Sequence, residues 1–232
     1  VFGPIFAQGY GQTESGPQIA TLPKEAHQVL DKSPEEQKIL TSCGQPSLGV
    51  QVRVVDKENN DVGPGTVGEI IVQSDSIMVE YWKRPKETAE TIVEGWLHTG
   101  DLAYYDEKGF IYIVDRKKDM IVTGGENVYS REVEDVLYKH PVIAEVAVVG
   151  VPDPLWVERV HAVVVLKPNA MAQEKEIISF CKEHLASYKA PKSVEFVESL
   201  PKNAQGKILK KTIRSKYRAP QAPDSEEGNR RG

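Results

Sequence analysis

Cysteine is scarce. The 232 residues hold only Cys43 and Cys181, far apart and in no CxxC pair. That argues against a disulfide framework or a thiolate metal site and fits two reduced thiols in a cytoplasmic protein. Long apolar runs are missing too. The longest, Val146 to Val151 and Ala162 to Leu166, fall well short of the roughly 18 residues a membrane span needs, but suit buried strands. His27, His98, His140, His161 and His184 are scattered, with no partner at ligand spacing. Neither a G-x-S-x-G elbow nor a G-x-x-x-x-G-K-[ST] loop is present. There is no basic-then-apolar leader and no initial Met. The opening Val1-Phe2-Gly3-Pro4 is what a piece of a longer chain would show.

What is there is a globular balance: 40% apolar residues, 29 basic and 34 acidic side chains, and a formal charge of −5. The apolar share is too high for general disorder, and the mild acidity argues against a nucleic-acid binder. Residues 1–20 read as a short strand and a polar loop, the loop being Gln8 to Pro17, and residues 24–40 as loop or surface helix. Val50, Val52 and Val54 alternate with Gln51 and Arg53, the period of a half-buried strand. With the turn residues that follow and Val67 to Gln73, they predict a hairpin. Residues 84–94 read as helix, Gly95 to Asp101 as a turn, Asp106 to Gly109 as another turn, and Phe110 to Val114 as a strand.

Asp115-Arg116-Lys117-Lys118-Asp119 has five charges in a row and separates two patterned regions. A domain boundary is expected there, with residues 1–116 before it and 117–218 after it. The second part predicts a helix capped by Ser130, strands at 143–150 and 160–167, a helix over 173–186, a strand at 194–198 and a basic helix from about 208. Together these make a small α+β layer. Residues 219–232 lack core-forming side chains and are expected to be disordered.

Each candidate functional residue has a plain alternative. Thr13 and Glu14, in a glycine-rich loop, could hold a phosphate oxygen and a hard cation such as Mg²⁺, or lie in a solvated turn. Tyr10 could stack on a base or simply pack. Asp101 has two acceptor oxygens for vicinal hydroxyls. Arg116 offers a fork for hydroxyl or phosphate groups or solvates a linker. Gly124 and Gly125 allow close backbone approach to a ligand or serve a tight turn. Lys202, Lys207, Lys210, Lys211, Arg214, Lys216 and Arg218 form a run without an acid, attractive to polyanions. Lys207 stands apart on the Asn203-Ala204-Gln205-Gly206 loop.

The order of these motifs carries more than any one of them. Tyr10-Gly11-Gln12-Thr13-Glu14 comes first, then Gly95-Trp96-Leu97-His98-Thr99-Gly100-Asp101-Leu102. Asp115-Arg116-Lys117-Lys118-Asp119-Met120-Ile121 and Gly124-Gly125-Glu126-Asn127-Val128-Tyr129 follow, and Leu200-Pro201-Lys202-Asn203-Ala204-Gln205-Gly206-Lys207-Ile208 closes the series. From about residue 1 to 215 the chain resembles the AMP-forming, adenylate-forming enzymes: acyl-CoA synthetases, peptide-synthetase adenylation domains and beetle luciferases. The resemblance implies the C-terminal part of a large AMP-binding domain, with a β-hairpin or barrel-like subdomain, followed by a small mobile α+β domain.

It also implies a reaction and a set of roles. A carboxylic acid, expected to be a fatty acid, is activated with ATP to acyl-AMP and pyrophosphate, then passed to coenzyme A. Tyr10 resembles the adenine-stacking aromatic, with Gly11 and Gln12 in the same nucleotide-binding motif. Thr13 resembles a phosphate-contacting hydroxyl and Glu14 the carboxylate associated with Mg²⁺. Asp101 is similar to the ribose clamp and Arg116 to its neighbour. Lys118 occupies the hinge position, Gly124 and Gly125 the loop lining the pantetheine tunnel, and Lys207 the position of the catalytic lysine. Two positions depart from the pattern: Val157 stands where relatives commonly carry Gly, and Ser130 where many carry Pro. The phosphate loop and most of the acyl pocket would belong upstream of Val1, so this chain alone is expected to be inactive. A peptide-synthetase adenylation domain, a truncated non-catalytic nucleotide- or partner-binding module, and a polyanion binder through 202–218 are the competing readings.

Overall fold

A computed structural model describes residues 5–217. Contacts divide the chain between Lys118 and Asp119 into two compact units. The 219–232 tail and the Val1 start lie outside the described residues.

The first unit begins with β1 (Gln8–Gln12) and β2 (Gly16–Leu22), an antiparallel pair joined by a three-residue turn, with β3 (Gln45–Pro46) added beside β2. The polar loop expected after a short strand is therefore mostly strand. Between β2 and β3 lie two 3₁₀ turns and the short α1 (Pro34–Gln37), closed by a Ser33–Glu36 capping box. The predicted hairpin is present as β4 (Gln51–Val55) against β5 (Gly68–Gln73). After α2 (Pro85–Thr91) and β6 (Ile92–Val93) comes the longest strand of this unit, β7 (Trp96–Tyr105). It pairs with β5, β6 and β8 (Ile111–Arg116). The Gly95 to Asp101 turn is thus corrected: all but Gly95 belongs to a strand. Ile19, Ala20, Cys43, Ile70, Val72, Ala103 and Ile111 pack between these sheets.

The second unit holds the hairpin β9 (Ile121–Thr123) and β10 (Glu126–Val128), then α3 (Ser130–Leu137), β11 (Ile143–Asp153), β12 (Val157–Leu166), α4 (Glu174–His184), β13 (Ser193–Phe196) and α5 (Lys210–Ser215). Tyr129, not Ser130, takes the N-cap of α3, and Ser130 is its first helical residue. The sheet order is β10-β9-β12-β11, with β13 parallel to β12. The apolar run of β11 is buried on both faces. Val146 and Val148 pack toward Val133, Leu137, Ile177 and Cys181, whereas Ala147, Val149 and Val151 pack toward Leu200 and Ile213. Covering both faces of one strand is what turns an alternating pattern into a continuous one.

The basic run is partly neutralised within the unit. Lys202 pairs with Glu145 at 2.6 Å, Lys210 with Glu134 at 2.7 Å and Arg214 with Asp119 at 2.8 Å. Three of its cations are thus held by carboxylates of the same unit, which weakens the polyanion reading. No helix among the described residues is long and apolar enough to cross a membrane.

Candidate functional site

Several of the sequence-predicted residues meet in the first unit, around a bulge in β7. The β5–β7 register runs from Ile71 opposite His98 to Glu69 opposite Leu102, so four steps along β7 face two along β5. Thr99, Gly100 and Asp101 fill the excess, and Gly100 takes φ +70, which glycine adopts without strain. A bulge opens ladder hydrogen bonds, and side chains close them here. The Thr99 hydroxyl donates to the Ile70 carbonyl at 2.8 Å, and Gly100 N–H donates to Glu69 Oε1 at 3.1 Å.

Asp101 is buried, and its carboxylate gathers three donors. The Tyr10 hydroxyl and Gln12 Nε2 each donate to Oδ2 at 2.7 Å, and Arg116 Nε lies 2.9 Å from Oδ1. Gln12 Nε2 also donates to the Thr99 carbonyl at 2.9 Å. A carboxylate has about four acceptor sites, so roughly one stays open. Burial first, then the Asp101 charge, pushes the Tyr10 phenol far above its ordinary pKa, which keeps it a donor. Tyr10, partly buried, also packs against the apolar core of the unit.

A cleft of about 930 Å³ adjoins this cluster, lined among others by Gln12, Thr13, Glu14, Thr99, Arg116 and Lys118. Gly11 and Gly100 bring bare backbone to the same wall. Glu14 accepts a hydrogen bond from the Tyr81 hydroxyl at 3.0 Å on Oε1, and its backbone carbonyl accepts from Met78 N–H at 2.7 Å. Its second carboxylate oxygen makes no hydrogen bond among the described residues. One carboxylate next to a threonine hydroxyl fits Mg²⁺, which takes one or two protein carboxylates and keeps several waters. Among the described residues no group of three or more His, Cys, Asp or Glu is gathered as for a tighter metal site.

Sequence reasoning missed a second charged cluster on the cleft wall. Glu69 is buried, and its Oε2 lies 2.8 Å from Lys117 Nζ and 3.1 Å from His98 Nδ1. Burial acts to raise its pKa, but the bonds from Lys117 and His98 outweigh this and hold it below the usual carboxylate value. A lone glutamate at a strand start reads as solvated. Its partners lie 29 and 48 residues away, and only the sheet brings them in.

The other predicted residues lie in the second unit. Gly124 and Gly125 form the exposed β9–β10 turn at φ +60 and +88. A Cβ on Gly124 would stand 2.6 Å from the Trp156 ring, so only glycine fits under it. Gly124 N–H also donates to the Trp156 carbonyl at 3.0 Å. Lys207 is exposed on a loop held by Asn203, whose Oδ1 accepts its backbone N–H at 2.8 Å. Its ammonium makes no ion pair among the described residues.

Known proteins share this arrangement of sequence and fold. Residues 1–82 match the AMP-binding enzyme profile and residues 132–207 the AMP-binding enzyme C-terminal domain. The chain is 48% identical, over 93% of its length, to a medium/long-chain-fatty-acid–CoA ligase of Mycobacterium tuberculosis, of which it covers 38%. To a fatty acid–[acyl-carrier-protein] ligase of Streptomyces coeruleorubidus it is 45% identical over 91% of its length, covering 40% of that protein. The o-succinylbenzoate CoA synthetase of Bacillus subtilis, solved with its acyl-adenylate intermediate, superposes with a TM-score of 0.78 at 36% identity, over 90% of this chain and 40% of that one. The chain therefore spans about two fifths of the length of the relatives it matches.

Proposed function

The chain belongs to the AMP-binding enzyme family, and on that premise we propose that it forms part of an acyl-CoA synthetase. The substrate acid is a fatty or other apolar carboxylic acid, and the overall reaction has two steps. A carboxylate oxygen attacks the α-phosphorus of ATP, the bond to the β-phosphate oxygen breaks, and pyrophosphate leaves. The sulfur of coenzyme A then attacks the acyl carbon, the bond to the AMP oxygen breaks, and the thiol proton is released as thioester and AMP form.

The observation that carries this reading is the cluster of Tyr10, Gln12, Asp101 and Arg116, which reaches the cleft through Gln12 and Arg116, beside Thr13 and Glu14. A nucleotide ribose presents two hydroxyls, each both donor and acceptor. One can donate to the open site on Asp101 while the other accepts from the Arg116 guanidinium, so the two residues read the diol as a pair. Tyr10 has its hydroxyl anchored to Asp101, which fixes its ring for the base. Thr13 and the backbone of Gly11 face phosphate oxygens. Glu14 is the residue that would hold Mg²⁺, which when bound neutralises phosphate charge.

Lys207 serves as the cation of the first step, where charge builds on the α-phosphoryl oxygens. Its exposed ammonium, in no ion pair among the described residues, is suited to that task. Lys118 acts as the hinge residue, and Gly124 and Gly125 give the thiol a path with little steric bulk. The fatty-acid relatives favour a fatty substrate, and the similarity to a carrier-protein ligase makes a carrier thiol the competing acceptor.

The test uses the complete polypeptide encoded by the gene. Lys207→Ala should lower acyl-AMP formation at least a hundredfold, read as pyrophosphate release, yet leave thioester formation from supplied acyl-AMP within about threefold. Equal loss of both half-reactions would overturn the assignment of Lys207. A panel of carboxylic acids, run with coenzyme A and with a holo-carrier protein, identifies the acid and the acceptor.

A further inference from the structure

Glu69 lies outside the groups that meet the nucleotide in the reading above, yet its contacts bracket two of them. Its Oε1 accepts the Gly100 N–H, one residue before Asp101. Its Oε2 holds Lys117 Nζ, one residue after Arg116. Gly100 and Lys117 are themselves tied, since Lys117 N–H donates to the Gly100 carbonyl at 2.8 Å. The Asp101–Arg116 pair thus sits on a short frame whose two flanking residues are both fastened to one carboxylate. His98, at the other end of the bulge, is fastened to that carboxylate as well.

The cost of this arrangement shows that it needs an explanation. Burying a carboxylate is unfavourable unless it is paired and hydrogen-bonded, and the Glu69 side chain is 8% exposed. An apolar residue in β5 would pack without that cost. It would leave the Gly100 N–H without its side-chain acceptor, and Lys117 without its anchor. Holding a bulge with three bonds from one side chain fixes a geometry that backbone pairing has given up.

We propose that Glu69 is a positioning residue for the Asp101–Arg116 pair, and that it sets how strictly the site selects a ribose bearing its 2′- and 3′-hydroxyls. This rests on the reading of Asp101 and Arg116 as the diol-binding pair. Glu69 lines the same cleft, and the role assigned to it is exerted through the bulge.

The experiment compares binding of AMP and 2′,3′-dideoxy-AMP to the complete polypeptide by calorimetry, with the melting temperature recorded for each variant. The wild type should favour AMP at least tenfold, since removing both hydroxyls strips bonds from a buried charged pair. Glu69→Gln keeps the side-chain shape and an acceptor for Gly100 but loses the charge that holds Lys117. It should retain the fold and lose at least fivefold of the AMP preference. Lys117→Met, at an exposed position, removes one of the three contacts and should lose about twofold; it also carries the test if Glu69→Gln proves unstable. A parallel weakening of both nucleotides, or an unchanged ratio, would show a purely structural role and overturn the inference. Absence of any AMP preference in the wild type would instead overturn the diol reading itself.

Discussion

Val157 holds a backbone conformation that a β-branched residue rarely adopts. It opens β12 at φ +69, in the left-handed region where the Cβ crowds the following carbonyl. That explains why the resemblance expects glycine at this position. The side chain is exposed and recovers little by burial, while the backbone pairs with Thr123 next to the Gly124 turn. The strain is therefore not repaid locally. Val157→Gly should raise the unfolding free energy of the second unit by about 1 kcal/mol, because the relieved strain exceeds glycine's extra chain entropy. Urea unfolding monitored on that unit checks the sign, and a lower midpoint would refute the argument. Trp156, beside it, covers Gly124 and would feel any change in the turn.

The second unit also contains a polar network that ties separate elements together. His161 on β12 contacts the Ser193 hydroxyl of β13 through Nδ1 at 2.7 Å, and the Tyr217 hydroxyl beyond α5 through Nε2 at 2.9 Å. Tyr217 in turn donates to Glu195. Burial lowers the pKa of His161, more than the nearby Glu195 charge raises it. The folded state therefore keeps the imidazole neutral where the unfolded chain, with an ordinary value of about 6.5, takes up a proton. Stability from this group is complete above that value and falls as the pH drops through it toward the folded pKa. Between pH 7.5 and 5.5 the wild type should lose more stability than His161→Gln, in urea midpoints of the second unit. Equal losses would show that His161 does not titrate on unfolding.

Elements differed in how plainly the sequence announced them. The β4–β5 hairpin was readable because its valines alternate and its turn is rich in Gly, Pro and Asn. α4 was readable as a helix over 173–186, and Ile177 and Cys181 are the residues it buries. β7 was not, for a specific reason. Its first buried positions alternate as Leu97, Thr99 and Asp101, partly polar, and past the bulge Asp101, Leu102 and Ala103 are buried in succession, so the period is hidden. What makes it a strand is pairing on both sides, with β5 and β8. The candidate site follows the same division. Tyr10, Asp101 and Arg116 were visible through motif order, while Glu69 depended on partners that only the sheet supplies.

At the scale of the whole molecule, the chain consists of two units with separate cores. Those cores share one compositional detail. Cys43 is buried in the core of the first unit and Cys181 in that of the second. Burial pushes the Cys43 thiol up to about 12 and the Cys181 thiol up to about 11. Thiolate is the reactive form, so both should resist a disulfide reagent in the native protein. Labelling must wait for the surrounding core to open, and each thiol then reports the opening of its own unit. With a chromogenic disulfide in a urea series, the wild type should show two labelling phases. Cys43→Ser should remove the phase of the first unit, and Cys181→Ser that of the second. A single phase shared by both thiols would mean that the units open together. The scarcity of cysteine thus leaves the protein with one built-in chemical clock per unit, through which the breathing of each half can be timed without attaching a probe.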